Sequence, residues 1–586
     1  MLNENKSKKI LLLYSLIGFG FFIFLSVMLL NVLKSRDLPS MYTSDNTKAE
    51  RGSIISADGF HVATTQKLYK AVVNTNYIDP QKMDLFVELF SIYSGISAGE
   101  VREKLSKRKG VVVLSYLIPQ IQAQYLKKLA YDLREYKVFI ERKNPKTGMR
   151  MLHGLSVLES GESREYPYGD LLTPVIGYSH KQEEDGYTRI RGIKGLEKRF
   201  DLELSARQDG SCQGQRDVNS YIILNKNSFT KPEINGLDIK LTIPVALQIK
   251  MEKMLDKMVL ELDAEQIMLA VMNPKDGKVL SLATSRRFMP KNIQKEDFSA
   301  LNSAMTEYSF EPGSVVKVIT FSILLDKGLI SPYEMVNGYN GRYQLGKKVI
   351  TDEHKFDRLT AEEVIVHSSN IGISQLAQKL SGYDFNEGLQ AFGFSKRSTP
   401  DLIFERMGSI PSSKRLDSEI YRATCSYGYG MNANLMQLVR AYTTFNNNGK
   451  ISTPKIVNNF VDEYKREIPI ADEEQIQIIK SATAQRVKEI LIKTVNEGTG
   501  IKAKTPGLEV GGKTGTAHIV EDGEYVKKYN TAFMGFANDE SNNYTIGTIV
   551  IQPKKSQFAA QTAVPVFKAA VDIMIEDGYL KPNIIE

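Results

Sequence analysis

The chain has 586 residues, 42% of them hydrophobic, a formal net charge of +8 and two cysteines, Cys212 and Cys425, far apart in sequence. That length exceeds one domain and predicts two or three, and the apolar share excludes a disordered chain. The charge comes without a basic block interleaved with aromatics, which argues against nucleic acid; two distant cysteines and six histidines with no ligand-spaced pair argue against a disulfide framework or a metal site, so neither metal nor cofactor is expected.

Residues 10–33 are 24 residues without a charge. As a helix they would be about 36 Å long, enough for a hydrocarbon core of roughly 30 Å. Lys6, Lys8 and Lys9 precede them and Lys34 and Arg36 follow; the bias favours a cytoplasmic N-terminus. A cleaved signal peptide is the alternative, but its apolar core would be shorter, about 7–15 residues, and no Ala-x-Ala-like site follows Leu33. The expected order is a cytoplasmic tail (1–9), a transmembrane helix (10–33) and a polar linker with Pro39 (34–50), with the remainder outside the cytoplasm.

Residues 51–234 begin with a strand-turn-strand pattern, Arg51 to Ile55 and then Asp58-Gly59, and continue with helical patterns over 83–94, 98–107 and 120–131. A Gly/Pro-punctuated segment runs from Arg164-Glu165-Tyr166-Pro167-Tyr168-Gly169 to Gly192-Ile193-Lys194-Gly195-Leu196-Glu197. No nucleophile or acid-base pair is arranged there, so this region reads as a non-catalytic pedestal. From 235 to 586 the pattern changes: a strand at 238–242, a helix over 244–262, a hairpin of 267–272 and 279–284 about Asn273-Pro274-Lys275-Asp276-Gly277, strands at 532–537 and 544–551, and a closing helix over 564–576. Strands at both ends with helices between predict an α+β domain, a central antiparallel sheet with helices on its faces.

The chemistry concentrates around Glu311-Pro312-Gly313-Ser314-Val315-Val316-Lys317. Pro312 and Gly313 turn the chain, and the run from Val315 to Leu325 is apolar apart from Lys317, predicting a buried helix with Ser314 in its first turn. Residues three apart share a helix face, so the Lys317 amine is expected to reach the Ser314 hydroxyl. Burial disfavours an ammonium, and serine needs a base to become a nucleophile. Ser-x-x-Lys recurs at Ser106/Lys109, in a run of charges, and at Ser228/Lys231, in a polar connector; only Ser314 has a turn before it and a buried helix after it.

Ser368-Ser369-Asn370 follows 54 residues later, ahead of a helical pattern. Ser368 offers a proton-relay hydroxyl and Asn370 an amide that donates and accepts, although taken alone the triplet is an ordinary helix cap. Lys513-Thr514-Gly515-Thr516 follows Val510-Gly511-Gly512, a Gly-rich strand where a ligand can come close, with a cation and hydroxyls suited to a carboxylate. A second Lys-Thr-Gly, Lys146-Thr147-Gly148, lies in a charged loop of the pedestal.

In the order Ser-x-x-Lys, Ser-x-Asn, Lys-Thr-Gly on one domain, the set resembles penicillin-binding proteins and β-lactamases. Across its length the chain resembles a monofunctional class B penicillin-binding protein, closest to the septal, FtsI-type D,D-transpeptidase. Arg51-Gly52, Asp58-Gly59 and the 164–169 and 192–197 segments resemble that family's dimerisation-type pedestal. Tyr427-Gly428-Tyr429-Gly430, Glu497-Gly498-Thr499-Gly500 and Ala563-Val564-Pro565-Val566-Phe567 resemble its transpeptidase domain. The resemblance implies an enzyme of the bacterial inner membrane that cross-links peptidoglycan stem pentapeptides and is acylated by β-lactams. Ser314 would be the nucleophile, Lys317 its base and Ser368 a proton relay tuned by Lys513. Asn370 would hold the substrate amide, and Lys513, Thr514, Gly515 and Thr516 would face the terminal carboxylate. The amides of Ser314 and Thr516 would form the oxyanion hole. It also implies a membrane glycosyltransferase of the FtsW type and other division proteins as partners. Two positions depart from the family's habit: Pro244 stands where an acidic residue is common, and His518 where glutamine is.

Other classes sharing these motifs are an elongation-type transpeptidase, a β-lactamase or β-lactam sensor, and a scaffold that has lost activity. The large pedestal and the spanning helix argue against the β-lactamase, and the intact Ser314, Lys317, Ser368, Asn370 and Lys513 against the scaffold.

Overall fold

The computed structural model describes residues 2–33, 42–140, 142–143, 150–151, 154–184, 186–216, 222–521 and 523–583. A single helix, Leu2–Leu33, takes in both the expected spanning segment and most of the tail before it, and its large apolar side chains from Ile10 to Leu33 are exposed. Among the described residues it is the one helix long and apolar enough to cross a membrane, and an unburied apolar surface of that length suits lipid rather than water.

The polar stretch after it is not all linker. Tyr42–Thr47 forms a strand paired antiparallel with Gly210–Arg216. A tyrosine followed by five polar residues carries no period-2 hydrophobic signal, so this strand, held by its ladder rather than by a buried face, is invisible to sequence pattern. The next strands, Ile54–Ile55 and His61–Asn74, and the helices Met83–Ser94 and Ala98–Lys107 form where expected, and the third helix extends further, Gln120–Glu135. The three helices bury Phe86, Phe90, Leu105, Leu126 and Leu133 in a core of their own.

Arg51, Arg164 and Glu197, from three separated pedestal segments, meet in the interior. Glu197 is fully buried and accepts from Arg51 Nη2 (2.8 Å) and Arg164 Nε (2.7 Å), while Arg51 Nη1 reaches Asp201 Oδ1 (2.7 Å). Burying such charges is costly unless they are paired and hydrogen-bonded; the pairing holds the Glu197 carboxyl below its ordinary range despite its burial.

The two regions are not separate bodies. Asp238–Leu241, just past the expected boundary, pairs parallel with Ile54–Ile55 of the pedestal and antiparallel with Val457–Val461, so one nine-stranded sheet crosses the boundary. Pro244, at the N-cap of helix α1 (Val245–Glu261), supplies no side-chain cap. Asp58 of the pedestal does so instead, accepting from the amides of Val245 (2.9 Å) and Ala246 (3.1 Å). A carboxylate facing those free N–H groups also complements the helix dipole.

The second region is built on a five-stranded antiparallel sheet: β1 (Gln266–Met272), β2 (Val279–Thr284), β3 (Glu509–Glu521), β4 (Glu524–Asn538) and β5 (Asn543–Ile551), in the spatial order β2-β1-β5-β4-β3. Its faces separate with period 2 along the strands. Ile267, Leu269, Val271, Ile546 and Val550 meet Met251 and Leu255 of α1 and Phe567 and Val571 of the closing helix, Ala563–Glu576. Met268, Ala270, Met272, Ile549 and Met534 face the larger core that contains helix α2 (Val316–Asp326). Every residue of β1 is therefore buried, which is why that strand reads as an unbroken apolar run. Strand β3 is left at an edge, beside the chemistry.

Candidate active site

Gly313–Val315 forms a single tight 3₁₀ turn that runs into α2, and every residue from Val316 to Leu324 is buried. Gly313 has φ 61°, a conformation that only glycine adopts without strain, and its N–H donates to Gly428 O (3.1 Å). A Cβ on Gly428 would lie 2.1 Å from Gly313 O, so the Tyr427-Gly428-Tyr429-Gly430 segment is glycine where two backbones touch. Below the turn, buried Tyr442 donates from its hydroxyl to Val315 O (2.7 Å). Ser314 is thereby held half-exposed at the mouth of a rigid, buried element.

Lys317 is fully buried, but its amine does not bond the Ser314 hydroxyl as the helical spacing predicts. It donates to the carbonyl of Ser368 (2.5 Å) and to Ser368 Oγ (3.2 Å). The tight turn that carries Ser314 departs from α geometry, and the carbonyl of a strained residue competes for the proton donor. Ser368 has φ 59°, a strained conformation for a non-glycine residue that presents both of its oxygens to Lys317. Burial presses the Lys317 amine down to about 7, against the opposing pull of Asp352 and Glu353. Lys513 on β3 is also fully buried, and burial followed by the nearby Lys317 charge pushes it well below the ordinary lysine range. Its amine donates to Thr514 O and Thr514 Oγ1, each at 3.3 Å.

The Lys-Thr-Gly strand lies directly against the nucleophile turn. A Cβ on Gly515 would sit 3.0 Å from both Pro312 O and Val315 Cγ1, and one on Gly313 2.9 Å from Thr516 O. Glycine at 515 is what allows the edge strand to close on Ser314. Thr514 Oγ1 is 2.7 Å from Thr499 Oγ1, which gives the Glu497-Gly498-Thr499-Gly500 segment its place beside the site.

Asn370 opens helix α3 (Asn370–Ala377), whose N-cap is Ser369. Its Nδ2 donates to Thr351 O (2.9 Å); a carbonyl accepts only from the amide nitrogen, so the Asn370 oxygen is left for a ligand's N–H. Asp352 holds this corner from outside: Ser369 Oγ (2.5 Å), Asn370 N (2.6 Å) and Ile371 N (3.1 Å) all donate to it. Asp352, Tyr442 and Thr499 drew no role from the sequence. Asp352 directly follows the hairpin strand Lys348–Thr351, 17 residues before Ser369, and nothing local marks it as a cap for a distant helix.

The structure thus brings Lys317, Ser368 and Lys513 close together and sets the Gly515 and Thr516 backbone against the turn that bears Ser314, with Asn370 two residues beyond Ser368. The look-alikes fall elsewhere. Ser106 is exposed, with its hydroxyl on Glu103 O, and Ser228 Oγ bonds Ile223 O in a polar turn. Lys146-Thr147-Gly148 lies outside the described residues. Among the described residues no group of metal-ligating side chains is assembled.

A family model of the penicillin-binding protein transpeptidase domain matches residues 267–572, and one of the penicillin-binding protein dimerisation domain matches residues 46–241. The chain belongs to the class B penicillin-binding proteins. It is a penicillin-binding serine transpeptidase. Peptidoglycan D,D-transpeptidase FtsI of Buchnera aphidicola subsp. Baizongia pistaciae is 27% identical over 602 residues, 99% of this chain and 97% of that one. The FtsI of Escherichia coli K12 is 27% identical over 434 residues, 74% of this chain and 70% of its own. Stage V sporulation protein D of Bacillus subtilis is 29% identical over 425 residues, 71% of this chain but 64% of its own length. Among solved structures, penicillin-binding protein 2X of Streptococcus thermophilus shares the fold with a TM-score of 0.74 at 20% identity, over 92% of this chain and 82% of that one. Apo penicillin-binding protein 3 of Mycobacterium tuberculosis does so at 0.65 and 21%, over 92% and 100%.

Proposed function

We propose that this class B penicillin-binding protein cross-links peptidoglycan stem pentapeptides through a Ser314 acyl-enzyme at the division septum. The observation that carries the chemistry is the buried amine of Lys317, unpaired with any carboxylate among the described residues and bonded to Ser368. A lysine whose proton leaves near pH 7 is matched to general-base work. Ser314 Oγ attacks the penultimate D-Ala carbonyl, and Lys317 takes its proton. The developing oxyanion is met by the Ser314 and Thr516 amides, whose backbones the Gly313–Thr516 contact brings together. The C–N bond then breaks, and the proton passes through Ser368 Oγ to the leaving D-Ala amine. A second stem's amine attacks the ester, gives up its proton by the reverse route and frees Ser314.

Lys513 completes the electrostatics. In the free enzyme burial and the nearby Lys317 charge hold Lys513 well below the ordinary lysine range. A substrate carboxylate arriving at Thr514 and Thr516 stabilises the protonated form of Lys513, and that charge in turn keeps Lys317 neutral. Binding therefore sorts the pair into one cation and one base. β-Lactams, carrying the same carboxylate beside a strained amide, acylate Ser314 as substrate mimics.

The chain divides, on this reading, into a cytoplasmic tail (1–9), an inner-membrane helix (10–33), a linker shorter than the expected 34–50 because the strand Tyr42–Thr47 joins the pedestal, the pedestal (to 234) and a periplasmic catalytic region (235–586), crossing the membrane once. The lysines ahead of the apolar helix support a cytoplasmic N-terminus. Septal duty is supported by the names of the FtsI relatives and by asparagine at 370, where elongation-type enzymes usually carry aspartate. The partners on this reading are an FtsW-type glycosyltransferase and other division proteins. Fluorescent penicillin labelling in cells tests it: the label should depend on Ser314 and gather at division sites, and depletion should give undivided filaments. Rounded cells that still divide would assign the enzyme to elongation, and rapid release of hydrolysed penicillin would make it a β-lactamase.

A further inference from the structure

Beside Asn370 lies a cavity of about 470 Å³ whose walls include Tyr427, Tyr429, His518, Tyr525 and Lys348. Its aromatic walls interlock: Tyr429 packs edge-on against both Tyr427 and Tyr525, with ring centroids 5.7 Å apart in each case, and His518 lies against Tyr525 and Tyr529. Among the described residues no acidic side chain lines the cavity. Glu311 lies behind the wall, and one of its oxygens is taken by Gly430 N (2.7 Å) and Tyr525 Oη (3.3 Å).

Lys348 is the cation placed for a ligand here. It starts the strand Lys348–Thr351, and Thr351 at the end of that strand accepts the Asn370 amide. Lys348 and Asn370 line the same cavity, which puts the ammonium within reach of a side chain one residue along from a peptide bond held at Asn370. The Lys348 amine donates to Thr424 Oγ1 (2.9 Å) and lies 5.9 Å from the centre of the Tyr427 ring. Thr424 Oγ1 spends its own proton on Ile420 O (2.6 Å). An ammonium has three donors, so after Thr424 two N–H groups of Lys348 remain for a ligand. Facing charges are Glu311, set behind the ring wall, and Lys527, a second cation on the cavity lining.

We propose that Lys348 is a specificity-determining residue that binds a carboxylate on the side chain of the residue preceding D-Ala-D-Ala in the donor stem. The aromatic walls cover the aliphatic part of that side chain, and the ammonium meets its charged end. This rests on the acyl-transfer reading of Ser314 and adds the class of donor: a stem carrying a second carboxylate rather than a lone amine at that position. The same subsite favours β-lactams whose acyl side chain carries a carboxylate.

The test compares Ser314 acylation by α-carboxybenzylpenicillin and by benzylpenicillin, which differ by one side-chain carboxylate, in the full-length protein and its Lys348→Met, Lys348→Arg and Lys348→Glu variants. A ratio within one variant cancels any loss of folded protein. The carboxylated-to-uncharged rate ratio should fall roughly tenfold in Lys348→Met, the scale of one charge-assisted contact, fall further in Lys348→Glu, and largely return in Lys348→Arg. A parallel fall should appear in D-Ala release from a donor peptide with a free side-chain carboxylate relative to its amide. An unchanged ratio in Lys348→Met and Lys348→Glu overturns the assignment. Failure of both penicillins to acylate the parent protein overturns the Ser314 reading, and the subsite with it.

Discussion

A pH series on Lys317 tests the mechanism most directly. An ordinary lysine titrates near 10.4 and is neutral in only about one molecule in 2,500 at pH 7. With its amine lowered to about 7 by burial, Lys317 is neutral in about half the molecules at that pH, a gain of roughly a thousandfold in available base. Raising pH removes the proton, so acylation should rise with pH through the Lys317 value and level off above it. Relative to the plateau, the rate should be about half at pH 7 and roughly a tenth at pH 6. Stopped-flow acylation by benzylpenicillin between pH 5.5 and 8.5 reads this as a single acid limb. Lys317→Arg, which keeps the charge but cannot lose it, should acylate at least about a thousandfold more slowly. A flat profile over that range, or an arginine variant near the parent rate, would refute a neutral-lysine base. The same burial predicts a stability trend. Between about pH 7 and 10.4 the unfolded chain holds a proton that the folded site releases, so stability rises with pH through that window and the cost of the buried amine is felt in full below it.

Ser314→Ala should abolish covalent penicillin labelling while Ser106→Ala and Ser228→Ala leave it intact, read by gel fluorescence; labelling that survives in the first would mean another nucleophile. Asp352→Ala removes the acceptor of three donors at the start of α3 and should cost about 1–3 kcal/mol by denaturant titration, with slower acylation; full stability would show the corner is held by something else. Asn370→Asp replaces the donor to Thr351 O with an acceptor and should lower the acylation rate about tenfold or more, an effect absent if the side chain does not set the amide-binding geometry. Asp58→Ala uncaps α1 across the seam and should lower the melting temperature for a loss of about 1 kcal/mol without changing the pH profile of acylation; a changed profile would tie the pedestal to the chemistry.

The local patterns of this chain carried much of its architecture. The exposed apolar helix at the N-terminus, the hairpin of β1 and β2, the helices from Met83 and Ala98 and the closing helix all form because apolar period, turn residues and length are properties of neighbours in sequence. The three motifs were legible for the same reason: each is a run of three or four residues whose side chains must stand close together. What tertiary structure alone decided was which of these groups touch. Lys317 turned from Ser314 to Ser368, because the tight turn bearing Ser314 departs from helical geometry and the strained Ser368 presents two acceptors. Pro244 left α1 uncapped in sequence, and the missing carboxylate came from Asp58, 187 residues away. Asp352 reached α3 from just past a hairpin, and Tyr42–Thr47 became a strand by pairing with a partner beyond residue 209. Hydrogen bonds between distant segments leave no period in either segment, since a single carboxylate or a polar ladder needs only the right position in space, and that position exists once the apolar cores have packed.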